Sequence, residues 1–527
     1  MGKRISPLLK SPAFILLIIT AAGTVIRILK IDDAELWHDE ACTARFAWMT
    51  VSELFSSLTS TEPHPPVYYL FMKLWIGIFG DSEVSLRLPS LISGSALIPA
   101  VYLTASRLFD RASALLSALF VALSPIAVYY SCEARNYMFV CLASLSAFYF
   151  ALSYLKETRP LRLAFFSLLL FVSLFTHNYT FFLAPVFLSL PFLIHSERKS
   201  RIRFFAAALA PLALFALWQA LFFSSQSGGL DFLSDYWERQ GFFDSVLLTL
   251  KSFFAGVSYP DYLGYLALYK PPQIIEILAI SFVALVIFSA FIHTAQNKTG
   301  ILAFAYFLAP VLIPCLISLK YPIYLSGRYE MIAFPGFAML AGTGLRNLSG
   351  FARRTGGKFV PAAAAVFLAF SFITLAPFLS AKGDFKVREV AGRIVEKAEK
   401  GDIIIFTDLF RPSFEYEFRQ IGSGFSYYSY PVSMEAHPCW MNVMGLRADR
   451  KTLEDDAASL VDTAKELSAR GADVFVIAGF DEASRQIENI AVNFHLLDRF
   501  MKSGFEIAGT LNLKGVGYIK LKLARDN

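Results

Sequence analysis

Between Ser11 and Ser380 the chain passes repeatedly through apolar runs, each of about 20 residues, the helix length that crosses a bilayer. Runs of that kind commit a chain either to a membrane or to a very large core. Composition decides between the two. Of 527 residues, 56% are hydrophobic and only 17% are charged, with a mean hydropathy of +0.52, whereas a soluble protein carries about 25% charge. After Lys382 the composition becomes ordinary. The sequence thus predicts an α-helical polytopic membrane protein over residues 1–380, followed by a small soluble α/β domain over residues 381–527.

The apolar runs give about eleven spans. The first is Pro12–Leu29, and the others centre near residues 97, 121, 145, 169, 186, 213, 283, 309, 338 and 369. So many spans follow Lys3 and Arg4 that the first reads as an uncleaved helix rather than a signal peptide. A polar loop over residues 30–87 separates the first two spans, and within it Pro66–Phe79 reads as an interfacial helix. Basic residues fall in alternate loops: Lys3 and Arg4, Arg107 and Arg111, Lys156 to Arg162, Arg198 to Arg203, Lys298, and Arg346 to Lys358. That asymmetry predicts a multi-pass plasma-membrane protein with a cytoplasmic N-terminus and an extracytoplasmic C-terminal domain. It also accounts for the net charge of +6 without a nucleic-acid partner. In the tail, Val387–Lys400 and Leu453–Arg470 read as helices. Ile403–Phe406, Val474–Ala478 and two segments around Lys514-Gly515 read as strands. No glycine-rich phosphate loop precedes a helix there.

Five cysteines form no CxxC pair. Cys42 and Cys132 would share the outer side, which leaves a disulfide between them open.

With that topology the polar motifs gather on the outer face. They are Trp37-His38-Asp39-Glu40, His64-Pro65-Pro66-Val67-Tyr68-Tyr69, Ser85-Leu86-Arg87-Leu88-Pro89, Glu133-Ala134-Arg135-Asn136-Tyr137, Thr176-His177-Asn178-Tyr179 and Gly327-Arg328-Tyr329-Glu330. Charged groups at a hydrocarbon boundary are costly unless paired or wet, so each cluster is a candidate site. Carboxylates supply a general base, while arginines, histidine and tyrosines supply a rim for phosphate. Each piece also has an ordinary reading. Arg-Tyr pairs anchor helix ends at membrane interfaces, Pro65-Pro66 fixes a helix start, and His177 reads as a cap rather than a ligand. The ordered combination is the signal.

That ordered series, with Phe79-Gly80-Asp81-Ser82-Glu83 and Tyr129-Tyr130-Ser131 between its members, resembles the polyprenyl-phosphate-dependent glycosyltransferases of the GT-C fold. It is most similar to the family-39 type, related to protein O-mannosyltransferases and lipid A aminoarabinose transferases. The likeness is close over Leu36–Tyr137 and extends through Arg328-Tyr329. It implies transfer of one sugar, with inversion, from a polyprenyl-phosphate-linked donor to an extracytoplasmic glycan, lipid or protein acceptor. It implies Asp39 as general base with Glu40 beside it, and Arg135, Arg328, His64 and Tyr329 at the donor phosphate. Trp37, His38, Tyr68, Tyr137 and Arg87 would contact substrate. Membrane lipids are the remaining partner. A divalent cation could draw on His38, Asp39 and Glu40, although no metal-ligand spacing is present. Relatives acting on lipid A carry lysine where this chain has His64, and the Trp-Trp-Asp motif of oligosaccharyltransferases is missing. The alternative function is a transporter or flippase, which would place ionisable residues near the middle of the spans.

Overall fold

The computed structural model describes residues 11–60, 62–194, 197–226, 233–255, 273–295, 300–354 and scattered positions between 368 and 379. It also describes residues 386–524, apart from 400, 433–438, 440–449 and 480–488. Among the described residues, the first part holds α-helices α1 (Pro12–Ile28), α2 (His38–Trp48), α3 (Val51–Ser60), α4 (Val67–Phe79), α5 (Glu83–Leu108), α6 (Arg111–Leu123), α7 (Pro125–Ser131), α8 (Tyr137–Lys156), α9 (Pro160–Leu174), α10 (Ala184–Leu193), α11 (Arg198–Gln226), α12 (Leu233–Ala255), α13 (Gln273–Ala295), α14 (Ile301–Ser318) and α15 (Phe334–Arg354). Among the described residues, α5, α8, α11 and α14 are long and apolar enough to cross a membrane. The pair α6–α7 adds a fifth span if it counts as one, bent by 59° where Pro125 cannot continue the hydrogen-bond ladder.

The first span and those expected near residues 169 and 186 fall on shorter apolar helices of 10–17 residues, and the one near residue 283 falls on the apolar stretch Ile280–Ile292 within α13, so length alone does not carry the count of eleven. The one near residue 338 falls on α15, and the one near residue 369 lies largely outside the described residues. The interfacial helix is α4. It starts after Pro66 and stops at Gly80, whose φ of 76° few side chains tolerate. Helix α12 was not expected, because Asp235, Glu238, Arg239 and Asp244 break its apolar pattern.

Among the described residues there follow α16 (Val387–Val395), β1 (Ile403–Thr407), α17 (Arg411–Ile421), β2 (Ser426–Tyr430), α18 (Arg450–Ser468), β3 (Val474–Gly479), α19 (Asn489–Lys502), β4 (Phe505–Leu513) and β5 (Val516–Leu523). The sheet order is β2-β1-β3-β5-β4. Strand β1 runs parallel to β2 and β3, while β5 is antiparallel to β3 and β4. Ile403–Phe406 and Val474–Ile477 are buried on both sides, as central parallel strands require. The expected β4–β5 hairpin turns on Lys514 and Gly515, both at positive φ.

This α/β unit grips α2 and the loops beside it. Arg45 pairs with Glu415, Trp48 stacks on Tyr416 at 6.1 Å, and the Arg419 guanidinium lies 4.6 Å from the Trp48 ring. Arg388 reaches Glu83 at 2.5 Å, and its amide donates to Glu35 at 3.1 Å. A disulfide joins Cys42 to Cys439, with Cα atoms 5.8 Å apart. The pairing left open between Cys42 and Cys132 is therefore not formed. One turn of α2 puts His38 and Cys42 on the same face, and that face meets Cys439. Cys132 instead closes α7 and donates through Sγ to the Arg27 carbonyl at 3.3 Å.

Candidate functional site

Five turns meet at one end of the helix bundle: the start of α2, residues 62–66, the α7–α8 turn, residues 175–179 and the turn before α15. Their backbones are tied together. The Val67 amide donates to the Phe175 carbonyl at 2.9 Å, and Asn178 Nδ2 donates to the Pro63 carbonyl at 2.9 Å. Asn136 Nδ2 donates to the Thr176 carbonyl at 3.2 Å, and the Tyr130 hydroxyl to the Gly327 carbonyl at 2.6 Å.

Asp39 sits in the first turn of α2, where a carboxylate suits the helix dipole. Its Oδ2 pairs with Arg328 and stands 3.8 Å from Arg135 Nη2. Both arginine side chains are 9% exposed, whereas that of Asp39 is 20% exposed, so the carboxylate is the most accessible member of the trio. Arg328 Nε donates to the Tyr137 hydroxyl at 2.7 Å, and its guanidinium lies 5.3 Å from the Trp37 ring. Gly327 makes that placement feasible. It has a φ of 74°, and a Cβ there would meet Ser252 Oγ at 2.8 Å. Glu330 holds the same turn, accepting from the Gly327 amide, from the Arg328 amide at 3.1 Å and from Thr249 Oγ1 at 2.6 Å.

An aromatic wall continues from the arginines. The His177 ring lies 5.3 Å from His64, 5.7 Å from Tyr329 and 6.0 Å from Tyr137. His64 Nδ1 pairs with Glu62 at 2.5 Å. Tyr68 is buried between Tyr69 and Phe139. Thus Asp39, Arg135, Arg328, Trp37 and Tyr137 form one cluster, with His64 and Tyr329 alongside through His177.

Three sequence candidates engage elsewhere. Glu40 is turned into a bidentate pair with Arg87, at 2.7 and 2.8 Å, and also accepts from the Ala134 amide at 2.8 Å and the Trp37 amide at 3.3 Å. Arg87 in turn donates to the carbonyls of Ile31, Ala34 and Glu35. His38 Nε2 bonds the Cys439 carbonyl at 2.7 Å. His38, Asp39 and Glu40 consequently do not form a shared donor set for a cation, and no group of three or more metal-ligating side chains occurs among the described residues. Glu62, Thr249 and Arg27 belong to none of the sequence motifs. The last is a buried arginine bonding Ser131 Oγ at 2.9 Å and the carbonyls of Val121 and Ala122. A lone charge inside an apolar run was the available signal.

Glu133 lies behind the cluster. Burial, and then the nearby Glu40 charge, push its carboxyl up to about 8. A raised acid binds more protons folded than unfolded, so its stabilising contribution is complete below about 4.5 and lost as pH rises through 8. Glu133→Gln removes that loss. Thermal midpoints in detergent are expected to match the parent protein near pH 4.5 and to exceed it by a few degrees above pH 8. A gap that closes as pH rises would contradict this.

The comparisons agree with the architecture. Residues 63–221 match the family model described as dolichyl-phosphate-mannose-protein mannosyltransferase. ArnT from Cupriavidus metallidurans in the apo state superposes with a TM-score of 0.58 at 13% identity, covering 96% of this chain and 97% of that one. Bound to undecaprenyl phosphate, the same protein gives 0.57 at 12% identity, covering 97% and 99%. The Archaeoglobus fulgidus oligosaccharyltransferase tethered with an acceptor peptide gives 0.58 at 13%, covering 96% and 74%. Against that oligosaccharyltransferase in its apo form the TM-score is 0.51, and the match spans 63% of its length. No curated protein matches in sequence. The chain has the GT-C fold of multi-pass membrane proteins, with a small C-terminal sheet.

Proposed function

We propose that the chain is a membrane glycosyltransferase that moves one sugar from a polyprenyl-phosphate donor to an acceptor hydroxyl, with inversion. The observation that carries this reading is the accessible Asp39 carboxylate held between two buried arginines in a GT-C fold. Asp39 takes the acceptor hydroxyl proton as that oxygen bonds to the anomeric carbon. The bond from that carbon to the phosphate oxygen breaks, and polyprenyl phosphate leaves with the electron pair. Arg135 and Arg328 stabilise the charge that builds on it, and the aromatic wall offers faces for sugar and lipid head. The arriving phosphate would also compete with Asp39 for Arg328, so donor binding frees the base.

In this reading Glu40 and Arg87 position α2 rather than touch substrate. Residues 1–380 form the catalytic membrane domain, with an N-terminus in the cytoplasm. Residues 381–527 form an extracytoplasmic domain, on the same side as the site. The acceptor is a glycan, lipid or protein hydroxyl beyond the membrane, where nucleotide sugars are not supplied. The charged groups stand in turns at helix ends instead of the middle of spans, which favours transfer over transport.

The test is a transfer assay on the purified full chain. Radiolabelled polyprenyl-phosphate sugars are expected to label extracytoplasmic acceptors, and nucleotide sugars are not. Labelling from nucleotide sugars alone would sink the reading.

A further inference from the structure

His177 opens the short helix Asn178–Leu183, and its Nδ1 accepts from the Tyr179 amide at 3.2 Å. An amide can only donate, so Nδ1 must present a lone pair and the ring hydrogen must sit on Nε2. The sequence reading of His177 as a cap accounts for one nitrogen only. His177 is 3% exposed, and its Nε2 has no hydrogen-bond partner among the described residues. The ring itself packs against those of His64, Tyr137 and Tyr329. Arg135 is near enough for its charge to act on the ring, and its Nε also lacks a partner among the described residues.

A buried donor without an acceptor costs about 1–3 kcal/mol. Two of them in one neighbourhood call for a ligand rich in acceptor oxygens. We propose that His177 is a donor-phosphate ligand, an uncharged Nε2–H that hydrogen-bonds an oxygen of the polyprenyl phosphate. The assignment rests on the donor reading above.

The charged and titratable groups facing the ring fix its protonation state. They are Arg135 from the α7–α8 turn, His64 paired with Glu62, Tyr137 from α8, Tyr179 from the short helix Asn178–Leu183, and Tyr329 from the turn before α15. Burial first, then the charges of His64 and Arg135, hold His177 well below its ordinary value. The cap excludes the imidazolium independently, because a protonated Nδ1 cannot accept. His177 therefore supplies a hydrogen bond that does not fade or strengthen where free histidine titrates.

The experiment uses the full chain in lipid nanodiscs, with undecaprenyl phosphate and undecaprenol as probes. His177→Asn keeps a side-chain oxygen able to cap the Tyr179 amide but cannot reach the Nε2 position. It is expected to weaken undecaprenyl phosphate binding about ten-fold or more, the scale of a hydrogen bond to a charged group, and to leave undecaprenol unchanged. His177→Gln, whose amide nitrogen reaches farther, should restore part of the affinity. The ratio of the parent and His177→Asn dissociation constants should stay flat from about pH 5.5 to about 7.5. Equal phosphate affinity in parent and His177→Asn overturns the assignment, and a ratio that widens on acidification overturns the neutral donor. A parent protein that fails to prefer undecaprenyl phosphate over undecaprenol overturns the donor reading itself.

Discussion

Asp39→Asn is expected to reduce transfer by about 10²- to 10⁴-fold, the range a positioned general base supplies. Asparagine has the same shape and can still accept from Arg328, so the site should keep its outline. What it cannot do is take the acceptor's proton. The change also leaves Arg328 without its carboxylate partner, free to bind the donor phosphate at least as tightly as before. Single-turnover transfer should therefore fall while undecaprenyl phosphate binding holds or improves. Transfer at the parent rate would remove Asp39 from the chemistry. Loss of binding together with rate would make it a structural residue.

The second large effect concerns stability. Arg87→Met should destabilise the protein by roughly 3–5 kcal/mol, the cost of stranding one member of a buried ion pair. The paired side chains are 4% and 2% exposed, so water cannot take over the lost contacts. Among the described residues, Glu40 would retain the amides of Ala134 and Trp37, and the loop carbonyls at Ile31, Ala34 and Glu35 would lose their Arg87 donor. Thermal unfolding in detergent measures this directly. Combining Arg87→Met with Glu40→Gln should recover part of the loss, since no unpaired charge then remains. An Arg87→Met protein of parental stability with a raised KM for the donor would return Arg87 to the substrate-binding set.

These predictions treat Asp39 and Glu40 oppositely, and that distinction was not legible in the chain. Successive helical residues point about 100° apart, so adjacent carboxylates at the start of α2 address different neighbours. Which one meets Arg87 depends on α5, nearly fifty residues away. The arginines at 135 and 328 stood out because each is a charge beside an apolar run, and Asp39 is where they converge. Strands β1 and β3 are readable as short apolar runs, and β4 and β5 as two segments around Lys514-Gly515. Strand β2, Ser-Tyr-Tyr-Ser-Tyr, has no aliphatic residue to announce it and lies at the sheet edge. Helix α12 escaped because its charges mask a helical segment that packs against α13 and α14. The pairing of Cys42 with Cys439 spans 397 residues, a separation at which sequence spacing carries no geometric information.

That covalent tie bears on which compartment the site faces. Structural disulfides persist in oxidising surroundings and are rare where glutathione and thioredoxin keep thiols reduced. Cys42 lies one helical turn beyond His38 and three residues after Asp39, while Cys439 belongs to the terminal α/β unit. Both partners must share one side of the membrane, and a stable bond favours the side away from the cytosolic thiol pool. Lysine and arginine counts in loops support the same orientation from wholly separate chemistry. The cell's redox gradient and its charge asymmetry thus both support the orientation proposed above, with the candidate base, Asp39, on the side away from the cytosol.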